Sequence, residues 1–250
     1  MYRRILATAQ ELKGQKASRR LAIRWQAKSA LHSPSEQYIP LSKTPIVVIS
    51  LPNRQDRLIA FDGEMRKLGV QHHRVVPGVP GKELYPSLPG DFSGAIGCNL
   101  AHSNAIESND WAHEKLLMIC EDDVEFQVGA EVVERLISEF VAHPLLDVLC
   151  LAGRVRGPKI PISQHLCVAS GIVGQACYVV KPHMVGPLAT LWRSGVSDLA
   201  KLRLRGKNDI IWKKLQEHEA FFAYPRQKVA RQRASYSDIQ GREMPSQEST

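Results

Sequence analysis

The hydrophobic positions between residues 45 and 155 form short continuous runs separated by amphipathic stretches. Runs rich in Val, Ile and Leu are typical of strands buried on both faces of a sheet, and they predict strands at residues 46–51, 71–76, 116–120 and 145–151. Helical spacing of apolar residues predicts helices at residues 56–68, 96–113 and 132–140. This alternation predicts right-handed βαβ units, and therefore an α/β domain with an open, mostly parallel twisted sheet flanked by helices.

The charge pattern separates the first part of the chain from the rest. Residues 1–44 carry nine Lys or Arg and two Glu, about +7 of the net charge of +8. We interpret them as a basic, helical, amphipathic extension followed by a linker. We predict one α/β domain over residues 45–240 and a disordered tail over residues 241–250. The extension is open to three interpretations: a helix on an anionic membrane surface, a transit peptide, or a solvated arm.

Composition narrows the class of protein further. The sequence contains no run of about 18 apolar residues, so it predicts no membrane-spanning helix. The five cysteines show no CxxC spacing, which favours a reducing compartment and a cytoplasmic location. Nucleic acid is not an expected partner, because the positive charge is concentrated in the extension. Aromatic residues are also not interleaved with the basic residues, as a platform for base stacking requires.

The sharpest chemical signal is Glu121-Asp122-Asp123, directly after the third predicted strand. Ligands of open α/β sheets bind outside the carboxyl ends of the strands. Carboxylates there can hold Mg²⁺ or Mn²⁺, which prefer oxygen ligands and bridge to phosphate oxygens. The competing interpretation is an acidic loop in which Asp122 or Asp123 caps the next helix.

Two further segments carry candidate binding residues. Asn53, Arg54 and Arg57 follow the first strand at a predicted helix start, where they could bind a phosphate or the polar edge of a nucleotide. Surface arginines in a first turn are also commonly just solvated. Gly97 and His102 lie in the next helix, where a small residue permits close packing or close approach to a ligand.

Taken together, these segments resemble glycosyltransferase family 25. The resemblance rests on the order and spacing of six short elements: VISLPNRQDR at 48–57, GAIGCNLAH at 94–102, MICEDD at 118–123, GQACYVV at 174–180, ND at 208–209 and SDI at 237–239. Four positions depart from the family pattern: Ala95 replaces the usual Glu, Ala101 replaces the usual Ser, and Ser50 and Pro52 alter the first turn.

The resemblance implies a GT-A-like fold and inverting transfer of a sugar, such as galactose, from a UDP-sugar. The acceptor would be a saccharide of lipooligosaccharide or another cell-surface glycan, and residues 1–30 could bring the protein to the inner face of an anionic membrane. Mn²⁺ or Mg²⁺ would bind Asp122 and Asp123. The expected donor-binding residues are Asn53, Arg54, Arg57, Gly97, His102, Glu121 and Arg231. The expected general base is Asp209, with Glu125 as the alternative.

Other functions stay open from the sequence. The departures at Ala95 and Ala101 would fit a catalytically inert relative that binds glycans or membranes. The same carboxylates could serve a metal-dependent phosphohydrolase, although two-metal sites draw carboxylates from several strand ends.

Overall fold

The computed structural model describes residues 2–30, 37–237 and 242–244; the side chains of residues 2–13, 208, 209, 235, 237 and 242–244 are not described. The described helices are α1 (Tyr2–Ser29), α2 (Gln55–Lys67), α3 (Gly81–Leu84), α4 (Gly90–Glu107), α5 (Ala130–Ala142), α6 (Val185–Ala200), α7 (Asn208–Ile211) and α8 (Lys213–His218). The described strands are β1 (Ile46–Ser50), β2 (Arg74–Pro77), β3 (Leu117–Glu121), β4 (Val124–Phe126), β5 (Val148–Val155), β6 (Lys159–Pro161), β7 (Leu166–Ala169), β8 (Ile172–Val180), β9 (Phe222–Pro225), β10 (Ala230–Gln232), β11 (Ser235–Ser237) and β12 (Arg242–Met244).

An eight-stranded sheet in the order β2-β1-β3-β8-β5-β9-β7-β6 forms the centre of the molecule. β1 runs parallel to β2 and β3, and β5 runs parallel to β9. β8 is antiparallel to its neighbours β3 and β5, and β7 is antiparallel to β9 and β6. Six of the eight strands therefore point the same way, which confirms the predicted α/β class with an open, mostly parallel sheet flanked by helices. Two small antiparallel pairs, β4 with β10 and β11 with β12, lie outside this sheet.

Both faces of the sheet are buried, as the unbroken apolar run of β1 predicts. Val48 packs on one face in a cluster that includes Phe61 of α2 and Phe140 of α5. Val47 faces the other side, in a cluster with Trp192 of α6 and with Trp212. Because successive strand residues point to opposite faces, five consecutive buried residues require helices on both sides.

The helix predicted at residues 96–113 lies earlier, at Gly90–Glu107. Pro89 precedes its first turn, where a residue without a backbone N–H leaves no unsatisfied donor. At the other end the indole Nε1 of Trp111 donates to the carbonyl oxygen of Ile106 at 2.6 Å. Trp111 thus folds back onto the last turn, and the apolar residues after Glu107 do not extend the helix.

The second half of α1 packs against the α/β unit. Leu21 and Trp25 are buried, and the Trp25 ring meets the edge of Phe221 at 5.1 Å between centroids. Arg24 donates to the carbonyl oxygens of Gln216 and Ala220. The basic residues Lys16, Arg19 and Arg20 are exposed. The domain boundaries predicted at residues 45 and 240 stay predictions. Within the described residues, no helix combines the length and apolar character needed to cross a bilayer.

Gly63 within α2 and Gly69 just after its C-cap give a matched test of how this helix ends. Gly69 has φ +68, its N–H donates to Arg66 O, and the N–H of Val70 donates to Met65 O. This is a Schellman cap, so Gly69→Ala forces a left-handed alanine and should destabilise the protein by about 1 kcal/mol. Gly63 lies mid-helix, where an added Cβ meets only Arg66 Nη2 at 3.9 Å. Gly63→Ala should raise the free energy of unfolding by about 0.5–1 kcal/mol. Urea unfolding measures both variants, and a change in the same direction for both would contradict this account.

Candidate active site at the carboxyl edge of the sheet

The acidic residues lie where two parallel strands end together. Ile49 of β1 is in register with Glu121 of β3, so Ser50 and Asp122 are neighbours at the same edge of the sheet. Asp122 and Asp123 form the turn that joins β3 to β4. Helix α5 begins only at Ala130. The structure therefore removes the interpretation in which these aspartates cap the following helix.

Asp122 and Asp123 are buried and held by polar side chains from distant parts of the chain. Ser50 Oγ donates to Asp122 Oδ2 at 2.7 Å, and Arg57 Nη1 donates to Asp122 Oδ1 at 3.0 Å. Arg57 Nη1 also lies 3.4 Å from Asp123 Oδ2, which accepts a hydrogen bond from Gln232 Nε2 at 3.0 Å. Asp123 Oδ1 is buried and accepts no hydrogen bond from any described residue. An acceptor of this kind has room for a proton or a cation.

The acidic turn carries an excess of negative charge in a poorly solvated place. Burial raises the pKa of Asp122, and the hydrogen bond from Ser50 and the charge of Arg57 oppose that rise. Burial also raises the pKa of Asp123 to about 7, with the neighbouring charge of Glu121 adding to the effect and Arg57 opposing it. Three carboxylates thus follow one another at this turn, and the guanidinium of Arg57 pairs with two of them, Asp122 and Asp123. Binding a cation would remove the cost of ionising them.

The β1–α2 turn places two arginines beside these carboxylates. Arg54 precedes the first residue of α2 and pairs with Asp56 at 3.0 Å, which lowers the pKa of Asp56 to about 2. Arg57 Nη2 and Arg54 Nη1 both donate to the carbonyl oxygen of Tyr236, at 2.6 and 3.3 Å. The short strand β11 therefore passes over both guanidinium groups. Asn53 is exposed in the same turn.

Glu125 and Arg231 face each other across the β4–β10 pair. Arg231 Nε and Nη2 donate to the two carboxylate oxygens of Glu125 at 2.9 and 3.2 Å. The hydrogen bond from Arg231 lowers the pKa of Glu125. Because a general base needs a carboxylate that readily accepts a proton, this pairing suits a clasp between strands better than catalysis. The clasp continues at Arg233, whose backbone N–H donates to the backbone carbonyl oxygen of Asp123 at 2.7 Å.

His102 and Gly97 lie on α4, behind the acidic turn. His102 is 1% exposed, and its Nε2 lies 3.2 Å from Glu121 Oε1. Gly97 packs against backbone, since an added Cβ would lie 2.3 Å from Val79 O and 2.8 Å from Gly81 N. Close helix packing therefore accounts for glycine at position 97 without a ligand. The predicted base Asp209 lies in α7, but its side chain is outside the described residues.

Three contributors to the site were missed by sequence reasoning. Ser50 had a local signal, because it is the polar end of an otherwise apolar strand. Gln232 and Tyr236 had none, since they reach the acidic turn and the arginines only through the β10 and β11 segments. The structure brings together Arg54, Arg57, Glu121, Asp122, Asp123 and His102. It places Glu125 and Arg231 in the adjoining clasp.

The raised pKa of Asp123 predicts how the stability of the metal-free protein depends on pH. Between its ordinary value of 3.8 and about 7, the folded state holds a proton that the unfolded state releases, so stability falls as the pH rises through this window. In EDTA, Asp123→Asn should gain stability relative to wild type by on the order of 3 kcal/mol between about pH 5 and pH 8, as measured by urea unfolding.

Asp198→Asn is the matched control. In wild type a hydrogen bond from Arg205 lowers the pKa of Asp198, so this carboxyl titrates below the window. Its stability curve should run parallel to that of wild type. An Asp123→Asn curve that also runs parallel to wild type would contradict a protonated, buried Asp123.

Comparison with known proteins gives distant structural likenesses. No protein-family model matches the chain, and no curated protein matches its sequence. A glycosyltransferase involved in the glycosylation of the major capsid of PBCV-1 is 10% identical, with a TM-score of 0.41, over 70% of this chain and 74% of its own. A197 from STIV is 12% identical, with a TM-score of 0.43, over 83% of this chain and 96% of its own. At these values neither likeness decides the function, and membership of family 25 stays a prediction.

Proposed function

We propose that this chain is a metal-dependent, inverting glycosyltransferase that takes its sugar from a nucleoside diphosphate donor. The observation that carries the proposal is the meeting of buried carboxylates and arginines at one sheet edge. Asp122 and Asp123 supply oxygen ligands, and Arg54 and Arg57 supply guanidinium donors next to them. A metal-bridged diphosphate needs both kinds of group in one place.

Asp122 and Asp123 would hold the metal, as Mn²⁺ or Mg²⁺. The donor set fits, because both ions prefer carboxylate oxygens and Asp123 Oδ1 is a buried acceptor without a hydrogen bond from the described residues. When bound, the ion neutralises charge that grows on the departing diphosphate. Ser50 and Gln232 orient the two carboxylates by donating to Asp122 Oδ2 and Asp123 Oδ2.

Arg54 and Arg57 would bind the diphosphate. Both already donate to one acceptor, the carbonyl oxygen of Tyr236. A phosphate oxygen is a stronger acceptor than a neutral carbonyl, because a charge-assisted hydrogen bond is shorter and stronger. In the proposed complex a phosphate oxygen takes the place of Tyr236 O, and the two guanidinium groups stabilise the leaving group.

The sugar-transfer step needs a base on the acceptor side. The base takes the proton of the acceptor hydroxyl while its oxygen attacks the anomeric carbon, and the bond from that carbon to the diphosphate oxygen breaks. We assign this role to Asp209, which occupies the position expected from the family 25 pattern. Glu125 is the weaker candidate because Arg231 holds both of its oxygens.

The resemblance to family 25 extends the proposal to UDP-galactose as donor and to lipooligosaccharide or another surface glycan as acceptor. The exposed Lys16, Arg19 and Arg20 of α1 support an anionic glycolipid or membrane surface as partner. Deleting residues 1–13 would not remove these three charges. Charge reversal at Arg19 and Arg20 is therefore the sharper test of vesicle binding.

Donor binding should raise the melting temperature of the protein. With Mn²⁺ and a UDP-sugar at about 100 times its Kd, the midpoint should rise by about 5–10 °C for a chain of this size. The rise should disappear in EDTA, in Asp122→Asn and in Asp123→Asn. A panel of UDP-, GDP- and CMP-sugars, read by thermal unfolding, identifies the donor.

Asp110→Asn serves as the matched control, because Asp110 is exposed and lies before β3, at the opposite edge of the sheet. This variant should keep the full shift. Absence of a shift with every donor, in a folded wild-type protein, would overturn the proposal in favour of an inert relative. An equal rise in melting temperature in EDTA would show that donor binding does not depend on a metal.

Asp209→Asn should separate binding from chemistry. Removal of the base should reduce donor turnover in the presence of acceptor by about 100-fold or more, while the thermal shift with donor persists. Glu125→Gln should retain most of the turnover. Wild-type turnover in Asp209→Asn, measured as released nucleoside diphosphate, would rule out Asp209 as the base.

A further inference from the structure

A cysteine, a histidine and a glutamate converge behind the acidic turn. One donor atom from each of Cys98, His102 and Glu121 lies within 4.8 Å of the other two. Cys98 and His102 are four residues apart on α4 and therefore share one face of that helix, while Glu121 is the last residue of β3. We propose that these three side chains form a second metal site, which binds a Zn²⁺-class transition-metal ion independently of Asp122 and Asp123.

The donor set selects the class of metal. A thiolate, an imidazole and a carboxylate together suit Zn²⁺ and related ions, whereas Mg²⁺ and Mn²⁺ prefer oxygen ligands. Neighbouring ligand atoms in a tetrahedral zinc site lie about 3.3–3.6 Å apart, as bond lengths of about 2.0–2.3 Å require. His102 Nε2 and Glu121 Oε1 are already 3.2 Å apart, and the cysteine sulfur lies within reach of both. Only small side-chain shifts are needed to complete the three-ligand set.

The orientation of His102 is fixed from behind. Its Nδ1 lies 3.0 Å from the hydroxyl of Tyr178, and Trp192 packs against its ring at 5.4 Å. Histidines that bind metals characteristically hydrogen-bond through the other ring nitrogen, which fixes the tautomer and aims the ligating nitrogen. Here the aimed nitrogen is Nε2, and it points at Glu121.

In the tautomer that carries its proton on Nδ1, next to the hydroxyl of Tyr178, the bare Nε2 of His102 faces a carboxylate oxygen of Glu121 at 3.2 Å, and a cation between these two acceptors stabilises both. In the other tautomer Nε2 donates a hydrogen bond to Glu121, so a metal ion takes the place of that proton when it binds. A metal ion uses all three donors. The side chain of Glu121 is 22% exposed and Cys98 is half-buried, so an ion can enter from solvent and a fourth coordination position stays open.

The test uses the full chain, stripped with EDTA and titrated with Co²⁺ as a spectroscopic probe without any nucleotide. Wild type should develop a thiolate-to-cobalt charge-transfer band that saturates at one Co²⁺ per chain, and Zn²⁺ should abolish this band by displacing that ion. The band should vanish in Cys98→Ser. Tyr178→Phe keeps the ring but removes the hydroxyl behind His102, so it should weaken Zn²⁺ binding by about 10- to 100-fold.

Cys167→Ser is the matched control, since Cys167 is a buried thiol on β7 away from this cluster. That variant should keep the band. Circular dichroism of each metal-free variant shows whether it is folded, and His102→Gln provides a second ligand variant. A folded wild type without the band, or a band that persists in Cys98→Ser, overturns the proposal. Asp122→Asn should keep the cobalt band while it loses the donor-induced thermal shift, so failure of this site and failure of the proposed function are distinguishable.

Discussion

The ion pair between Arg57 and the two buried aspartates is the interaction on which the candidate site depends. One guanidinium nitrogen lies 3.0 Å from Asp122 and 3.4 Å from Asp123, and both carboxylates are almost fully removed from solvent. Without Arg57, the side chains among the described residues that donate to these two carboxylates would be those of Ser50 and Gln232. A buried carboxylate that loses its partner is strongly destabilising. The first turn of α2 therefore supplies, through Arg57, the positive charge that offsets the buried carboxylates at this edge of the sheet.

The surrounding elements keep this arrangement in place. Glu64, buried on α2, accepts a hydrogen bond from the backbone N–H of Phe126 on β4 and another from Arg233 after β10. The Glu125–Arg231 pair ties the same two strands together on their exposed side. Asp122 and Asp123 thus lie between a rigid sheet edge and a clasped two-stranded ribbon. Such rigidity suits a site whose task is to hold charge in a fixed geometry, since preorganised groups need no rearrangement when charge develops.

Local sequence predicts the side of the site formed by β1 and β3, but it does not predict the side formed by β10 and β11. The apolar runs that end at Ser50 and Glu121 identify β1, β3 and the edge where they finish, because buried parallel strands have a strong signature. The positions of Arg54 and Arg57 follow from the turn after β1. Long-range contacts are not encoded this way: Gln232 meets Asp123 across 109 residues, and Arg57 meets Tyr236 across 179. The packing partner of α1 was equally hidden, since an amphipathic pattern predicts an apolar face but not that Leu21 and Trp25 lie buried against the α/β unit.

The central claim is that the edge formed by Ser50, Asp122, Asp123 and Arg57 holds a metal and a diphosphate. The most direct measurement is anomalous diffraction at the manganese edge, from crystals of the full chain grown with Mn²⁺ and UDP. The account predicts a single strong peak between the carboxylates of Asp122 and Asp123 and the diphosphate, with Arg54 and Arg57 contacting the phosphate oxygens and Tyr236 O displaced. UDP bound elsewhere, or manganese bound away from both aspartates, would contradict it.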